Sequence, residues 1–228
     1  MRIVFVRHGH PDYKKDCLTE LGHLHAEAAA ERLKDEPFTR IYSSTCGRAV
    51  ETAEHIAKRH DLPVKSFDFM REIKWWPLNG QPLEHKGYPW TITNAMVENG
   101  ESVLSSNWAE EPRFSNNGVK FLVQNIGKEF DKLLEELGYV REGDYYRVIR
   151  ENTDTVAMVS HGGASSAALA HLFNLPFPFL CASLRPNFTA ITVVLLEGEE
   201  GKLITPRFEI ANDARHIGGL SVDTFFGT

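Results

Sequence analysis

Apolar and polar positions along the chain follow two periods that alternate with each other. Short, nearly continuous apolar runs predict three buried strands, at Arg2–Val6, Ile41–Ser43 and Thr155–Ser160. After each run the apolar residues recur at helical spacing, so each strand is expected to lead into a helix. Strands that alternate with helices favour the α/β class, with a largely parallel sheet covered on both faces.

The pattern also assigns buried faces and helix ends. Thr19 is the expected N-cap of the first helix, with Leu21, Leu24 and Ala28 on its apolar face. The second predicted helix spans about residues 46–59, and the third ends at Phe173. Six histidines outside the motifs discussed below are expected to face solvent: His23, His25, His55, His60, His85 and His171.

A region of different composition, about residues 71–117, separates the second strand–helix unit from the third. It is rich in Gly, Pro and Asn, and it carries all four tryptophans: Trp75, Trp76, Trp90 and Trp108. This composition predicts an inserted cap over the edge of the sheet. Its tryptophans could either line a lid over an apolar leaving group or form the cap's own small core.

Beyond this region the pattern predicts an amphipathic helix carrying Leu122 to Leu137, and then a strand at Tyr145–Ile149. The last predicted elements are a pair of strands across a charged turn, at Ala190–Leu196 and Lys202–Ile210. The expected organisation is a single domain over residues 1–228, with the cap inserted into it.

Charge and cysteine content exclude several classes of protein. The net charge of -6 and the pI of about 5.9 argue against a broad surface for nucleic acid or for an anionic membrane. No run approaches the roughly 20 apolar residues that a membrane span needs. Three widely spaced cysteines, Cys17, Cys46 and Cys181, fit a reducing compartment, and we expect a cytoplasmic protein whose partner is a small molecule. The sequence leaves the oligomeric state open.

Ligands of parallel sheets bind outside the carboxyl ends of the strands. That rule selects Arg7-His8-Gly9, Ser43–Arg48 and His161-Gly162-Gly163, which follow the three predicted strands. Two arginines and two histidines would meet there, beside helix N-termini that favour anions. Guanidinium groups bind phosphate oxygens in pairs, and a neutral imidazole can attack phosphorus. The sequence therefore predicts phosphate chemistry.

These residues resemble a known family. Four motifs, in the right chain order, look like those of the histidine phosphatase superfamily, which includes cofactor-dependent phosphoglycerate mutases: Arg7-His8-Gly9, Leu18-Thr19-x-x-Gly22, Ser43-Ser44 with Arg48-Ala49-x-x-Thr52-Ala53, and Ser160-His161-Gly162-Gly163. The resemblance implies a three-layer α/β/α sandwich with an inserted cap, and a reaction in two steps through a phosphohistidine.

The resemblance also implies a role for each residue. His8 would be the nucleophile, Arg7 and Arg48 would clamp the phosphoryl oxygens, and His161 would stabilise the charge of the transition state. Gly162 would add to the phosphate site at the helix N-terminus. Four such donors can take the place of a metal ion, so neither a metal nor another cofactor is expected.

A leaving alkoxide needs a proton, and Glu72 is the candidate acid. Arg71-Glu72-Ile73, with Gly80 after it, fits the spacing of the family's acid motif, and burial among Trp75 and Trp76 would raise the pKa of this carboxyl. The motif is only half matched to that of the mutases, which favours a phosphatase of small phosphomonoesters over a mutase-type phosphotransferase. Near the end of the chain, Asn212-Asp213-x-x-His216 resembles a tail motif of several phosphatase-like members.

Two further hypotheses compete with this prediction. His8-x-His10-x-Asp12 after a strand has the spacing of a metal-ligand cluster, which would indicate a metallohydrolase but leaves Arg7 and Arg48 without a role. Altered residues after Gly9 are also compatible with a non-catalytic phosphate-binding protein on the same fold.

Overall fold

Eleven strands and six α-helices form the regular structure of residues 1–220, the residues that the computed structural model describes. The strands, β1 to β11 in chain order, are Arg2–Arg7, Pro11–Asp12, Cys17–Leu18, Phe38–Ser44, Val64–Phe67, Tyr139–Glu142, Tyr145–Val148, Thr155–Ser160, Ile191–Leu195, Leu203–Ile204 and Arg207–Asp213. The helices, α1 to α6, are Glu20–Arg32, Gly47–His60, Pro89–Glu98, Val119–Glu136, Gly162–Phe173 and Phe177–Ser183. None of the helices within residues 1–220 has the length and apolar character needed to cross a bilayer.

The central sheet has the strand order β11-β9-β1-β8-β4-β5. Strands β1, β8, β4 and β5 run parallel to one another, and β9 and β11 add an antiparallel edge. The register pairs Arg7 with Ser160 and Ser43 with Val159. The carboxyl ends of the three predicted strands are therefore level, and the residues that follow them meet at one edge.

Alternate residues of β1 face opposite sides of the sheet. Val4 and Val6 pack into a core with α1 and α2, whereas Ile3 and Phe5 face a larger core built with α4 and α5. Because both faces are apolar and covered by helices, the central strands are continuous apolar runs. The predicted three-layer α/β/α architecture with a largely parallel sheet is confirmed.

Helix α1 begins as predicted but buries a different face. Thr19 caps it by accepting a hydrogen bond from the N–H of Gly22 at 3.0 Å. The predicted apolar face is wrong, because Leu24 is 55% exposed and the buried residues are Gly22, His25, Ala26, Ala29 and Ala30. A Cβ on Gly22 would lie 2.1 Å from the carbonyl oxygen of His10, so close packing selects the small-residue face.

The prediction that six histidines face solvent is also wrong in part. His25 is completely buried, on the close-packed face of α1, and His171 is partly buried, with its Nε2 hydrogen-bonded to Asp131 at 2.7 Å. His55 and His60 are partly buried as well, whereas His23 and His85 are exposed, as predicted.

The last strands differ from those predicted. The predicted strand over Lys202–Ile210 is two strands, because Pro206 has no N–H to donate and interrupts the ladder. Strand β10 joins β7 and β6 in a small separate sheet, whereas β11 pairs with β9 as expected.

Residues 71–117 contain α3 and two short 3-10 helices, at Glu84–Gly87 and Trp108–Glu110. Trp75, Tyr88 and Trp90 pack against one another, with the rings of Trp75 and Tyr88 4.2 Å apart. Trp108 packs instead against Phe114 and Phe177, which belong to the large core. A small core of the region's own is therefore favoured for Trp75 and Trp90 but not for Trp108.

Candidate active site

The residues that follow β1, β4 and β8 form a buried polar cluster. Arg7, His8, Arg48 and His161 are between 0% and 8% exposed, which is rare for groups that can carry charge. His161 is the N-cap of α5, and Arg48 lies in the first turn of α2. The structure thus brings together the four residues that the sequence singled out.

Arg48 connects the two histidines. Its Nε donates to Nε2 of His8 at 3.3 Å, and its Nη2 lies 3.0 Å from Nδ1 of His161. A guanidinium group has only donors, so both of these imidazole nitrogens must accept. The protons then lie on the other nitrogens: Nδ1 of His8 donates to the carbonyl of Gly9 at 2.7 Å, and Nε2 of His161 donates to Oγ of Ser44 at 2.8 Å.

Both histidines are held in the neutral form. Burial, together with the guanidinium groups of Arg7 and Arg48, holds the pKa of His8 well below its ordinary value. The pKa of His161 is lowered in the same way, by burial first and then by its charged neighbours. Nε2 of His8 therefore carries a lone pair in a region of positive potential, which is the state that a nucleophile toward phosphorus requires.

The two arginines are fixed by loops. Nη1 of Arg7 donates to the carbonyl of Pro186 at 2.7 Å, and its guanidinium carbon lies 4.3 Å from the ring centre of Phe188. Nη1 of Arg48 forms an ion pair with Asp16, whose second carboxylate oxygen accepts from the N–H of Gly47 at 3.0 Å. An acidic side chain thus sits at the N-terminus of α2, where an anion is favoured.

Glu72 reaches the site from the chain after β5. Its carboxylate accepts the N–H groups of Ile73 at 3.0 Å, Gly163 at 3.3 Å and Ala164 at 3.1 Å, and so occupies the N-terminus of α5. Burial raises the pKa of Glu72, although the backbone N–H groups and the two arginines oppose that rise. A Cβ on Gly163 would lie 2.6 Å from the carboxylate, so only glycine leaves room for it.

The surroundings of Glu72 differ from the prediction. Trp75 packs against Tyr88 and beside Gly87, and Trp76 packs against Gly118. The side chain is enclosed by the first turn of α5 instead, which the order of residues in the sequence does not reveal.

Comparison with models of protein families matches residues 3–207 to the histidine phosphatase superfamily, branch 1. The chain belongs to the histidine phosphatase superfamily. A glucosyl-3-phosphoglycerate phosphatase of Mycobacterium tuberculosis is 26% identical over 228 residues, with 95% of this chain and 96% of that protein covered. The chain is accordingly a phosphoric monoester hydrolase of the histidine phosphatase type.

Solved histidine phosphatase structures share the fold. The native structure of mycobacterial glucosyl-3-phosphoglycerate phosphatase aligns with a TM-score of 0.62 at 24% identity, covering 92% of this chain and 98% of that one. Phosphoserine phosphatase of Entamoeba histolytica, in complex with 3-phosphoglyceric acid, aligns with a TM-score of 0.62 at 21% identity, covering 95% and 98%. The family predicted from four short motifs is confirmed over nearly the whole chain.

Gly162 begins α5 directly after the second histidine of the histidine phosphatase site. The first N–H groups of a helix have no partner within it, and here those of Gly163 and Ala164 donate to Glu72. A carboxyl group thus already occupies part of the helix end where Gly162 was expected to help bind phosphate.

The residues of the metal-ligand hypothesis do not converge. Nδ1 of His10 is hydrogen-bonded to Oγ1 of Thr19 at 2.9 Å, and Asp12 accepts the N–H groups of Lys14 and Lys15 in a turn. Across residues 1–220, no group of three His, Cys, Asp or Glu side chains is arranged to hold a metal ion.

Three residues at this histidine phosphatase site were missed by the sequence analysis: Asp16, Pro186 and Phe188. Ser44 belongs to the second motif, but its hydrogen bond to Nε2 of His161 was not predicted. Pro186 and Phe188 act through a backbone carbonyl and an aromatic ring, and neither carries a local signal for such a role.

Proposed function

We propose that this phosphatase hydrolyses a small phosphomonoester through a phosphohistidine on Nε2 of His8, with no metal ion taking part. The observation that carries the proposal is the bond from Nε of Arg48 to Nε2 of His8, since it shows where the lone pair is. Arg48 donates to that atom, and Arg7 and His161 lie in the same buried cluster. His161 becomes a donor to the phosphoryl oxygens once its Nε2–H leaves Oγ of Ser44. Gly162 lies at the same edge, at the start of α5.

In the first step, Nε2 of His8 forms a bond to phosphorus while the bond from phosphorus to the ester oxygen breaks. The guanidinium groups of Arg7 and Arg48 bind the phosphoryl oxygens, and His161 donates to them as negative charge spreads. Glu72 supplies its proton to the leaving oxygen. The raised pKa of Glu72 favours the protonated form that this step needs.

In the second step, a water molecule attacks phosphorus and the bond from phosphorus to Nε2 breaks. The water gives a proton to the Glu72 carboxylate, inorganic phosphate leaves, and His8 recovers its lone pair. Arg48 exchanges partners in this cycle, because its Nε bonds to His8 and its Nη1 pairs with Asp16 when no phosphoryl group is bound.

For the substrate we propose a phosphate ester of a small, anionic molecule. The relatives are named for glucosyl-3-phosphoglycerate and phosphoserine, and a solved neighbour holds 3-phosphoglyceric acid. A site with two arginines suits such esters, whereas the net charge of -6 disfavours nucleic acid and anionic membranes. We also propose a cytoplasmic location, since the described cysteines Cys17, Cys46 and Cys181 are free thiols.

We further propose that residues 71–117 act as a cap within a single domain of residues 1–228. Helix α3 of this region packs against α6, and Asn94 on α3 accepts a hydrogen bond from Arg185, next to Pro186. The region therefore reaches the loop that contacts Arg7, which is where a cap could shape the substrate pocket.

The test is phosphate release in excess chelator from 3-phosphoglycerate, phosphoserine, glucosyl-3-phosphoglycerate and p-nitrophenyl phosphate. We expect His8→Ala to lose at least about 10⁴-fold in kcat, because no other lone pair is placed to attack. The exposed His23→Ala is the matched control and should keep the parent rate. Quenching the parent with detergent at alkaline pH, with labelled substrate, should trap a phosphoryl group on the protein that is stable in alkali and lost in acid. A chelator-resistant rate that survives His8→Ala would refute the mechanism.

The role of Glu72 needs a separate experiment. Glu72→Gln keeps the shape of the side chain but cannot deliver its proton, so esters of poorly leaving alcohols should slow about 10²- to 10⁴-fold. p-Nitrophenyl phosphate, with its good leaving group, should slow far less. Equal losses on both kinds of ester would show that Glu72 is not the acid.

A further inference from the structure

The loop between α6 and β9, residues 184–190, contacts Arg7 and His8 through several of its residues. The carbonyl of Pro186 accepts from Nη1 of Arg7 at 2.7 Å. The ring of Phe188 lies 4.3 Å from the guanidinium carbon of Arg7 and 5.9 Å from the ring of His8, centre to centre. The N–H of Thr189 donates to the carbonyl of His8 at 3.4 Å. The position of Arg7 therefore depends on this loop.

Two residues of the tail motif, Asn212 and His216, form hydrogen bonds with the 184–190 loop. Asn212 accepts the N–H of Asn187 at 3.0 Å through Oδ1, and it donates to the carbonyl of Arg185 at 2.9 Å through Nδ2. These two bonds flank Pro186, which has no N–H of its own and cannot be fixed by a backbone donor. Nε2 of His216 is hydrogen-bonded to Oγ1 of Thr189 at 3.0 Å, at the other end of the loop.

The loop is strained where the motif holds it. Thr189 has φ 51° and Asn212 also has φ 51°. The left-handed region is tolerated by asparagine but is a clear outlier for a β-branched residue such as threonine. Such a conformation persists only where its surroundings fix it, and here Thr189 is completely buried between His8 and His216. The strain lies one residue from the ring that packs on Arg7.

We infer that Asn212 and His216 are positioning residues of the active site, which fix the 184–190 loop so that Pro186 and Phe188 hold Arg7 beside His8. The inference rests on the proposed function, because it assumes that Arg7 binds the transferring phosphoryl group. It gives a role to the motif Asn212-Asp213-x-x-His216, whose residues lie outside the catalytic cluster itself.

The test is Asn212→Gly, because glycine adopts φ 51° without strain and removes only the side chain. With the loop released, kcat/KM for the parent's best ester should fall roughly 10- to 100-fold, since small displacements of catalytic groups have large effects. The inhibition constant of orthovanadate, which mimics the phosphoryl transition state, should rise by a similar factor. His216→Ala should act in the same direction.

Asn174→Gly is the matched control. Asn174 also has a positive φ, of 53°, and its side chain also makes one donor and one acceptor bond, to the carbonyl of Asp144 and from Arg141. It ends α5, at the opposite end of that helix from His161. Asn174→Gly should leave kcat/KM and the orthovanadate constant unchanged, whatever it does to the temperature of unfolding.

A second comparison links the motif to Arg7. In an Arg7→Met background, adding Asn212→Gly should change kcat/KM and orthovanadate binding by less than about twofold, because the group being positioned is already gone. If Asn212→Gly does not fold, Asn212→Asp keeps the acceptor for Asn187 but loses the donor to Arg185. It should give a smaller loss in the same direction.

The possible outcomes distinguish failure of the proposed function from failure of the positioning role alone. A parent chain without His8-dependent hydrolysis would overturn the proposed function, and this inference with it. An active parent in which Asn212→Gly lowers only the unfolding temperature, at unchanged kcat/KM and orthovanadate constant, would overturn the inference alone. If Asn212→Gly lowers kcat/KM by the same factor in the parent and in the Arg7→Met background, the inference is also overturned. Asn212 would then not act by positioning Arg7.

Discussion

Two clusters in this molecule both combine arginine with histidine and have opposite electrostatics; one is buried and the other is partly buried. The first is the catalytic cluster of Arg7, His8, Arg48 and His161. The second, which we call the Asp131 cluster, joins α4 to the small sheet and to the last turn of α5. In it Asp131 accepts from Arg141 at 3.1 Å, from Tyr146 at 2.8 Å and from His171 at 2.7 Å.

In the Asp131 cluster three side chains donate to one carboxylate. Burial alone would raise the pKa of Asp131, but the bonds from His171, Tyr146 and Arg141 lower it below its ordinary value. In the catalytic cluster, Arg48 donates to neutral imidazoles, and burial lowers the pKa of both histidines. The Asp131 cluster is complete in itself, whereas the catalytic cluster is stabilised by an added anion.

Among the tests of this contrast, the largest expected effect follows from removing Arg48. Arg48→Met keeps the length of the side chain but removes the charge, so kcat/KM should fall about 10³-fold, or about 4 kcal/mol of transition-state stabilisation. The temperature of unfolding should not fall, because the change relieves an excess of positive charge around neutral histidines. Steady-state kinetics measures the fall in kcat/KM, and thermal unfolding measures the stability of Arg48→Met. A large fall in its unfolding temperature would show that Arg48 stabilises the fold, as Asp131 does.

Asp131→Asn should produce the reverse pattern. It weakens three hydrogen bonds to a charged acceptor, at about 1 kcal/mol each, so we expect a loss of about 3 kcal/mol in the free energy of unfolding, with unchanged kcat. Urea unfolding measures this loss. The control is Glu129→Gln on the same helix, whose pair with Lys132 is more exposed and should contribute less than about 1 kcal/mol. A change in kcat would mean that the two clusters are coupled.

Binding of inorganic phosphate should stabilise the catalytic cluster. At a phosphate concentration 100 times the Kd, the parent should gain about 2.7 kcal/mol, which corresponds to a rise of about 5 to 10 °C in the unfolding temperature. Arg48→Met should lose most of this gain, and Asp131→Asn should keep all of it. Chloride at the same ionic strength is the control, and an equal gain with chloride would show a general effect of salt.

The smallest effect concerns pH. The folded-state pKa of His8 lies below its ordinary value of 6.5, so the unfolded chain binds a proton that the folded chain does not. Stability should therefore fall as the pH falls below about 6.5, by about 1 kcal/mol for this histidine at pH 5.5. His8→Asn should flatten that fall, whereas the exposed His23→Asn should not. Urea unfolding between pH 5.5 and 7.5 measures both slopes.

The catalytic cluster could be predicted because it depends on topology. Parallel strands end at one edge of a sheet. The order of the strands alone therefore brings four residues together, whatever their side-chain rotamers: Arg7, His8, Arg48 and His161. Glu72 was found as a candidate from its spacing, but its partners were not. They depend on how the chain after β5 lies against α5, and no local pattern describes that contact.

Other errors arose where tertiary packing outweighed the local pattern. Leu24 looked like a core residue, yet the close approach at Gly22 turns the alanine face of α1 inward and buries His25. Strands β5 and β6 were missed because neither Val64–Phe67 nor Tyr139–Glu142 has the regular alternation of apolar and polar residues that marks a half-buried strand. The 184–190 loop acts through main-chain atoms and one aromatic ring, and neither carries a local signal for that role.

The place of β1 in the sheet also determines how the chain can fold. Arg2 pairs with Thr155 on one side and with Leu195 on the other, so a strand made early in synthesis lies between two strands made late. While the polypeptide grows, the apolar segment Ile3–Val6 has no native neighbour and must be kept from associating with other chains. Contacts over such sequence distances also slow folding. We therefore expect the nascent chain to need the protection of chaperones until β9 has left the ribosome.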